Sequence, residues 1–422
     1  MKIIKELISK LPFTIYSHKV DSVVREIVAV KKAKYLPLVV IFRQEPDALQ
    51  LSRLKRLGFK IKYTLPFLRA VSGRLPMRSF ETLAGILDIE KIYYDGKAVL
   101  MGKPLKNNLS SAKDPRTILA QKTDPTAKPV HLSGKGITAA FIDSGVFPHP
   151  DLTKPKNRIA AFKDFINGMD FPYDDNGHGT ACIGAGFGAS TDGKFKALAY
   201  DSSIVCAKAF DEFSTGFFSD ILAAMQWILN IKEQHNIKIV VLPFGTTSFS
   251  RRFDLLGRAA LALWSSGLFV SCCAGNMGPI ESSICSPGVC PACFTTGSCN
   301  THGYPYAVAD FSGRGPVYAK VDKPDAVMPG CNITTLNCDK TYSPRNKMYY
   351  DFGKLSIKYT EASGTSVSAS MTAAAAALIY QKNAALSPED VKSIIKVCTV
   401  SLNELKIVQG AGIIDIKKLE EL

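Results

Sequence analysis

The stretch GITAAFIDSGVFPHPDL, Gly136–Leu152, carries a mostly apolar run straight into a carboxylate, Asp143. Such a run reads as a buried strand, and its acidic end falls at the C-terminal edge, where open α/β sheets place functional groups. Working outward, further apolar strands follow in IVCAKAF (204–210), KIVVLPFG (238–245), LFVSCCAG (268–275) and FTTGSC (294–299). They alternate with helical stretches such as FSDILAAMQWILNIKE (218–233), LLGRAALALWSSG (255–267) and SASMTAAAAALIYQKN (368–383). Strand and helix in alternation predict an α/β fold, a mostly parallel sheet with helices on both faces. This part of the chain is expected to span 131–422.

A second pattern precedes it. From Tyr35 to about Leu100 the order is strand, helix, two strands, helix, strand, with leucines at 49, 51, 54 and 57 in helical spacing before Gly58. That order predicts a small α+β domain of ferredoxin-like arrangement over 35–100. Residues 1–34 form an N-terminal extension that is partly helical in pattern and has no assigned role. Residues 101–130 turn to Asn, Ser, Lys, Thr and Pro without apolar periodicity, which predicts a linker and a place for a processing cut.

The net charge is +15, and residues 1–130 hold 25 basic against 11 acidic residues, leaving 27 against 26 thereafter. The excess belongs to the first third of the chain. No aromatic-interleaved basic motif or zinc-finger spacing accompanies it, so nucleic acid is not an expected partner. No uninterrupted apolar run is long enough to span a bilayer, so a membrane is not expected either. The start has a cationic opening without an apolar core or cleavage pattern, and the chain reads as unexported. Eleven cysteines, all after residue 180 and in apolar or small-residue surroundings, suit reduced buried thiols and a cytoplasmic location.

Two more motifs join Asp143. DDNGHGTACIGAG (174–186) sets His178 between Gly177 and Gly179, which let the backbone turn tightly and keep bulk away from the ring. EASGTSVSASMTAAAAALIY (361–380) puts Ser366 two residues after Gly364 at the start of an alanine-rich helix, where a serine is ordinarily a helix cap. An aspartate, a histidine and a serine in these settings and this order point to nucleophilic catalysis.

In FIDSGV, NGHGT, CCAGNMGP and SGTSVSAS the chain resembles the subtilisin-like serine proteases, over roughly residues 35–422. The resemblance implies a catalytic triad in which Ser366 is the nucleophile, His178 the base and Asp143 its orienting partner. It implies that Asn276 donates to the oxyanion, together with the Ser366 N–H. Peptide substrates would lie extended between Leu242, Pro243, Phe244 and Gly245 on one side and Phe213, Ser214, Thr215 and Gly216 on the other. The domain at 35–100 resembles the family's inhibitory propeptide, so the expected partners are polypeptide substrates and the chain's own N-terminal domain, with the protein made as a zymogen.

Several positions depart from the family pattern. Pro243 replaces a serine, removing one N–H from the substrate strand, and Met277 follows Asn276 where an acid is common, which implies an apolar or polarisable side chain at the cleavage position. Ser370, Met371 and Ala181 are further departures expected to alter packing only. The stretch GFGASTDGKFKALAYD (186–201), which stands where the family often binds calcium, offers Asp192 and few other oxygens, so no calcium is expected there; calcium at another position stays open, and no other metal or cofactor is expected. His149 reads as a surface-turn histidine, and Cys182 as a small buried hydrophobe near the base. The competing readings are a subtilisin-shaped binding or regulatory protein without turnover, and an esterase or acyl-transferring enzyme.

Overall fold

The computed structural model describes residues 18–30, 33–102, 132–246, 254–317, 321–342, 355 and 357–421. The expected linker at 101–130 falls outside them apart from Met101 and Gly102, as do residues 1–17 of the N-terminal extension. Two compact units emerge, one of residues 1–97 with 217–226, the other of residues 98–216 with 227–422.

In the first unit, β1 (Tyr35–Phe42), β2 (Lys60–Leu65), β3 (Ala70–Pro76) and β4 (Ile89–Tyr94) form an antiparallel sheet in the order β2-β3-β1-β4. This is the ferredoxin-like order. Period-two alternation sends Leu36, Leu38, Val40 and Phe42 of β1 to one face, where they meet Leu54 of helix α2 (Ala48–Arg56) and Phe80 and Leu83 of helix α3 (Phe80–Ala84). A reciprocal cap between Asp47 and Gln50 starts α2. Helix α1 (Ser22–Val30) adds Val24 and Val28 to the same core, with Val20 just before it, which gives part of the N-terminal extension a packing role. On β2, Lys62 Nζ and the Tyr63 hydroxyl each donate 2.8 Å bonds to Asp220, in the 217–226 segment of this unit.

The second unit is built on a ten-stranded sheet. After the short β5 (Lys97–Leu100), its strands are β6 (Thr138–Asp143), β7 (Ile159–Asp164) and β8 (Ser203–Lys208); past β9 (Thr215–Phe217), which lies outside this sheet, comes β10 (Ile237–Leu242), then, past β11 (Phe244–Gly245), β12 (Phe269–Cys273) and β13 (Phe294–Asn300). Every residue of β6 and β12 is buried, as a parallel strand covered on both faces must be. Parallel pairing runs β7-β8-β6-β10-β12-β13 and on to the strand Ala326–Pro329. Strands β7 and β8 lie to one side of β6 and β10, β12 and β13 to the other. The strand order therefore reverses at β6, and the C-terminal end of β6 opens on the crevice that such a switch creates.

Two helices frame that crevice: α4 (His178–Phe187) and α5 (Thr365–Lys382), the latter buried from Thr365 to Tyr380. Their small residues let them pack closely. A β-carbon added at Gly186 would stand 2.7 Å from the Ser370 carbonyl oxygen, and Ser370 Oγ donates to the Cys182 carbonyl at 2.5 Å. Among the described residues no helix is long and apolar enough to cross a membrane.

Candidate active site

Three elements converge at the crevice. Strand β6 ends on Asp143, helix α4 begins at His178, and helix α5 presents Ser366 in its first turn. His178 Nδ1 lies 2.8 and 3.0 Å from the two Asp143 carboxylate oxygens, and Nε2 lies 3.1 Å from Ser366 Oγ. The glycines around the histidine have separate reasons. Gly177 precedes the helix at φ +95°, a left-handed turn that favours glycine, and a β-carbon on Gly179 would collide with the Gly145 carbonyl and press on the Asp143 carboxyl at 3.2 Å. Ser366 does not cap its helix; Gly364 holds the cap position, and the serine hydroxyl faces the imidazole instead.

Asp174, within the same motif, organises the turn. Fully buried, it accepts bonds from the Ser144 hydroxyl, the Gly177 N–H and both the N–H and hydroxyl of Thr180. Burial works against its charge, but the nearby Lys208 ammonium and these donors outweigh it and hold the carboxyl below its ordinary range. Lys208, itself buried, is held by Asp175 and the Ser144 carbonyl at 2.6 Å each. Around His178 burial disfavours the imidazolium, yet the Asp143 carboxylate prevails and the pKa stands well above the usual histidine value. Cys182 Sγ sits 3.7 Å from Nδ1, and burial pushes its thiol pKa up, so the thiol stays neutral and Asp143 supplies the decisive charge.

Asn276 lies beside Ser366 with its amide orientation set. Its Oδ1 accepts from the Thr365 N–H at 3.0 Å and the Thr365 hydroxyl at 2.9 Å, which leaves Nδ2 as the group that reaches into the site. Ser366 Oγ and Asn276 Nδ2 lie 3.2 and 3.3 Å from the position a β-carbon on Gly364 would take. The Ser366 N–H belongs to the first turn of α5, where no carbonyl four residues back is available and the helix dipole is positive.

Residues 213–216 and 242–245 flank a strand from the chain itself: β5 lies between β11 and β9 in a three-stranded sheet. The Ser214 and Pro243 carbonyls are acceptors on the two sides, and Gly245 pairs opposite Val99. Not every residue of the two segments faces this groove. Leu242 and Phe244 are fully buried, Phe244 stacking on Phe210 at 5.0 Å, so these positions support the groove from below; Phe213 is exposed.

Residues 134–412 match the family model described as the Subtilase family. The chain belongs to the subtilase family. Among its relatives are the serine protease AprX of Bacillus subtilis, 35% identical over 63% of this chain and 61% of that protein, and the subtilisin of Bacillus sp. strain TA39, 29% identical over 61% and 60%. This subtilase therefore spans about six-tenths of the length of either relative. Among solved structures, fervidolysin from Fervidobacterium pennivorans shares the fold with a TM-score of 0.69 and 17% identity, over 92% of this chain and 61% of that one.

Two features of this subtilase differ from, or add to, what its sequence suggested. His149 is no surface residue: it is fully buried, its Nδ1 accepts the Asp151 N–H at 3.0 Å to start the turn Pro150–Thr153, and Nε2 meets the Lys358 carbonyl at 3.1 Å. Burial pulls its pKa down to about 4. In the stretch 186–201 the Asp192 carboxylate is engaged by the Ser190 hydroxyl, the Lys194 N–H and, at 3.5 Å, the Lys194 ammonium.

Proposed function

We propose that the protein is a serine endopeptidase, made as a self-inhibited zymogen. The observation that carries this reading is the continuous relay Asp143–His178–Ser366 at 2.8 and 3.1 Å, with the Asn276 amide aimed beside the serine. Ser366 Oγ attacks the carbonyl carbon as its proton passes to His178 Nε2. Asp143 holds the ring with Nδ1–H toward its carboxylate and stabilises the imidazolium that forms. Asn276 Nδ2 and the Ser366 N–H bind the oxygen as it becomes negative. His178 then protonates the departing amine, and the same sequence with water frees the acyl group.

Extended polypeptides are the proposed substrates, bound through backbone groups of β11 and β9, as β5 is. The domain at 35–100 is the proposed inhibitory propeptide; a strand leaving it and lying in the groove beside the triad supports that role. Ten buried free thiols support a reducing, cytoplasmic location. Disulfides found by thiol titration of protein isolated from its own cells would count against that location. The activity is tested by hydrolysis of casein and of short peptides and esters. Ser366→Ala should abolish peptide cleavage; a mutant as active as the wild type overturns the reading, and hydrolysis of esters alone replaces it with an esterase.

A further inference from the structure

Residues 98–102 and the triad belong to one compact unit. Val99 and Leu100 pair antiparallel with Gly245 and Phe244, the Leu100 N–H donates to Ser214 O at 3.1 Å, and the Met101 N–H donates to Pro243 O at 3.2 Å. The chain then passes directly over the reacting groups. The Met101 carbonyl oxygen lies 2.7 Å from the point where a Gly364 β-carbon would stand, the same point that Ser366 Oγ and Asn276 Nδ2 approach to 3.2 and 3.3 Å. One residue on, a β-carbon at Gly102 would stand 2.7 Å from His178 Cδ2 and 3.1 Å from Nε2. The carbonyl of residue 101 is thus on the oxyanion donor's side and residue 102 on the base's side, the order that acyl transfer requires.

The Met101 side chain is buried in a cluster with Cys273, Cys285 and Ala369. Gly245 makes room for it: a β-carbon there would stand 2.9 Å from Met101 Cε and collide with Cys285 Sγ. Those walls hold no charge, and their two sulfurs are soft, polarisable neighbours for a thioether. We propose that Met101–Gly102 is the bond this site cuts in its own chain, and that the pocket of Gly245, Cys273, Cys285 and Ala369 selects methionine, or an equally long unbranched apolar side chain, at the cleavage position. The proposal rests on the endopeptidase reading above. In the step, the Ser366 Oγ–Met101 C bond forms and the Met101 C–Gly102 N bond breaks; the serine proton travels through His178 to the Gly102 nitrogen. Water then releases Met101 as a carboxylate and restores Ser366.

Two measurements test this. Intact mass and N-terminal sequencing of the purified full chain should find a fragment ending at Met101 and one beginning at Gly102, with Ser366→Ala left whole. In trans, the processed enzyme should cut the quenched peptide KAVLMGKPL, residues 97–105, after Met101, and its norleucine analogue about equally. Alanine at that position should lower kcat/KM by at least about 10-fold to 200-fold, and glutamate by more. Gly245→Ala should lose the methionine peptide by a similar factor, with circular dichroism and Tm on the same preparation showing that it is folded. A Ser366-dependent cut at another bond, a chain that takes a fluorophosphonate label yet stays whole, or equal rates for the methionine, alanine and glutamate peptides overturns the proposal and leaves the protease reading standing. A processed or linker-nicked chain that neither labels nor cuts any peptide overturns the protease reading itself.

Discussion

In the proposed mechanism Asn276 performs two jobs with the two ends of one amide, and substitution can separate them. Asn276→Ala removes the Nδ2 donor and also the Oδ1 acceptor of the Thr365 N–H and hydroxyl. Loss of one oxyanion donor costs about 10²–10³ in kcat, roughly 2.7–4 kcal/mol, a figure whose worked case is a subtilisin, a member of this same family. Stranding two buried donors at the start of α5 costs about 1–3 kcal/mol of stability besides, or a few degrees in Tm for a domain of this size. Asn276→Asp keeps the acceptor toward Thr365 and replaces the donor with a negative oxygen. Its Tm should therefore stay near the wild type while kcat falls at least as far as in the alanine variant. Steady-state kinetics on a fixed peptide, with calorimetry on the same preparations, reads both quantities, and KM should move little because the donor acts on charge that develops in the transition state. An alanine variant within 10-fold of wild-type kcat, or one whose loss is all in KM, would refute the assignment.

Other outcomes follow from the same geometry. His178 must be neutral to accept the serine proton, and its pKa is raised, so kcat/KM should climb with pH through a limb lying above pH 6.5; Asp143→Asn should move that limb to lower pH and cut kcat by about 10⁴. His149 is neutral when folded down to about pH 4 but protonates near 6.5 when unfolded, so its contribution is complete above 6.5 and drains away as pH falls toward 4. The loss is about 3 kcal/mol, read by urea titrations across that window, and His149→Leu should flatten the pH dependence. Gly179→Ala should lower both stability and kcat, because the added methyl collides with the Gly145 carbonyl and presses on the Asp143 carboxyl; an unchanged Tm with unchanged kinetics would show that the loop yields freely.

The legible parts of the sequence were those where sterics leave little choice. The run into Asp143 reads as a buried strand because it is mostly apolar, while the glycines around His178 and the small residues after Ser366 answer steric demands that small side chains meet. The ferredoxin-like order was legible from the succession of strand, helix, two strands, helix and strand, although β1 itself is apolar on both faces, with Val39 and Ile41 buried as well as Leu36, Leu38, Val40 and Phe42. His149 was not: a histidine between prolines resembles a surface turn until the Lys358 carbonyl, 209 residues away, is found on its ring. Leu242 and Phe244 lend the groove their backbone, whereas their side chains belong to the core beneath, a division the sequence does not reveal. Met101 was hidden by composition, standing at the edge of a polar segment that reads as linker. Only its N–H bond to the Pro243 carbonyl and its burial against Cys273 and Cys285 distinguish it.

The central claim is that Ser366 is a nucleophile activated by His178. Its most direct test is to treat the wild type, Ser366→Ala and His178→Ala with a fluorophosphonate, after nicking the segment between 103 and 131 with a second protease, and to map the label by mass spectrometry of peptides. One label on Ser366 in the wild type, none in Ser366→Ala and a rate lowered by orders of magnitude in His178→Ala is the predicted result. A wild type that stays unlabelled, or a label that persists in Ser366→Ala, would contradict it.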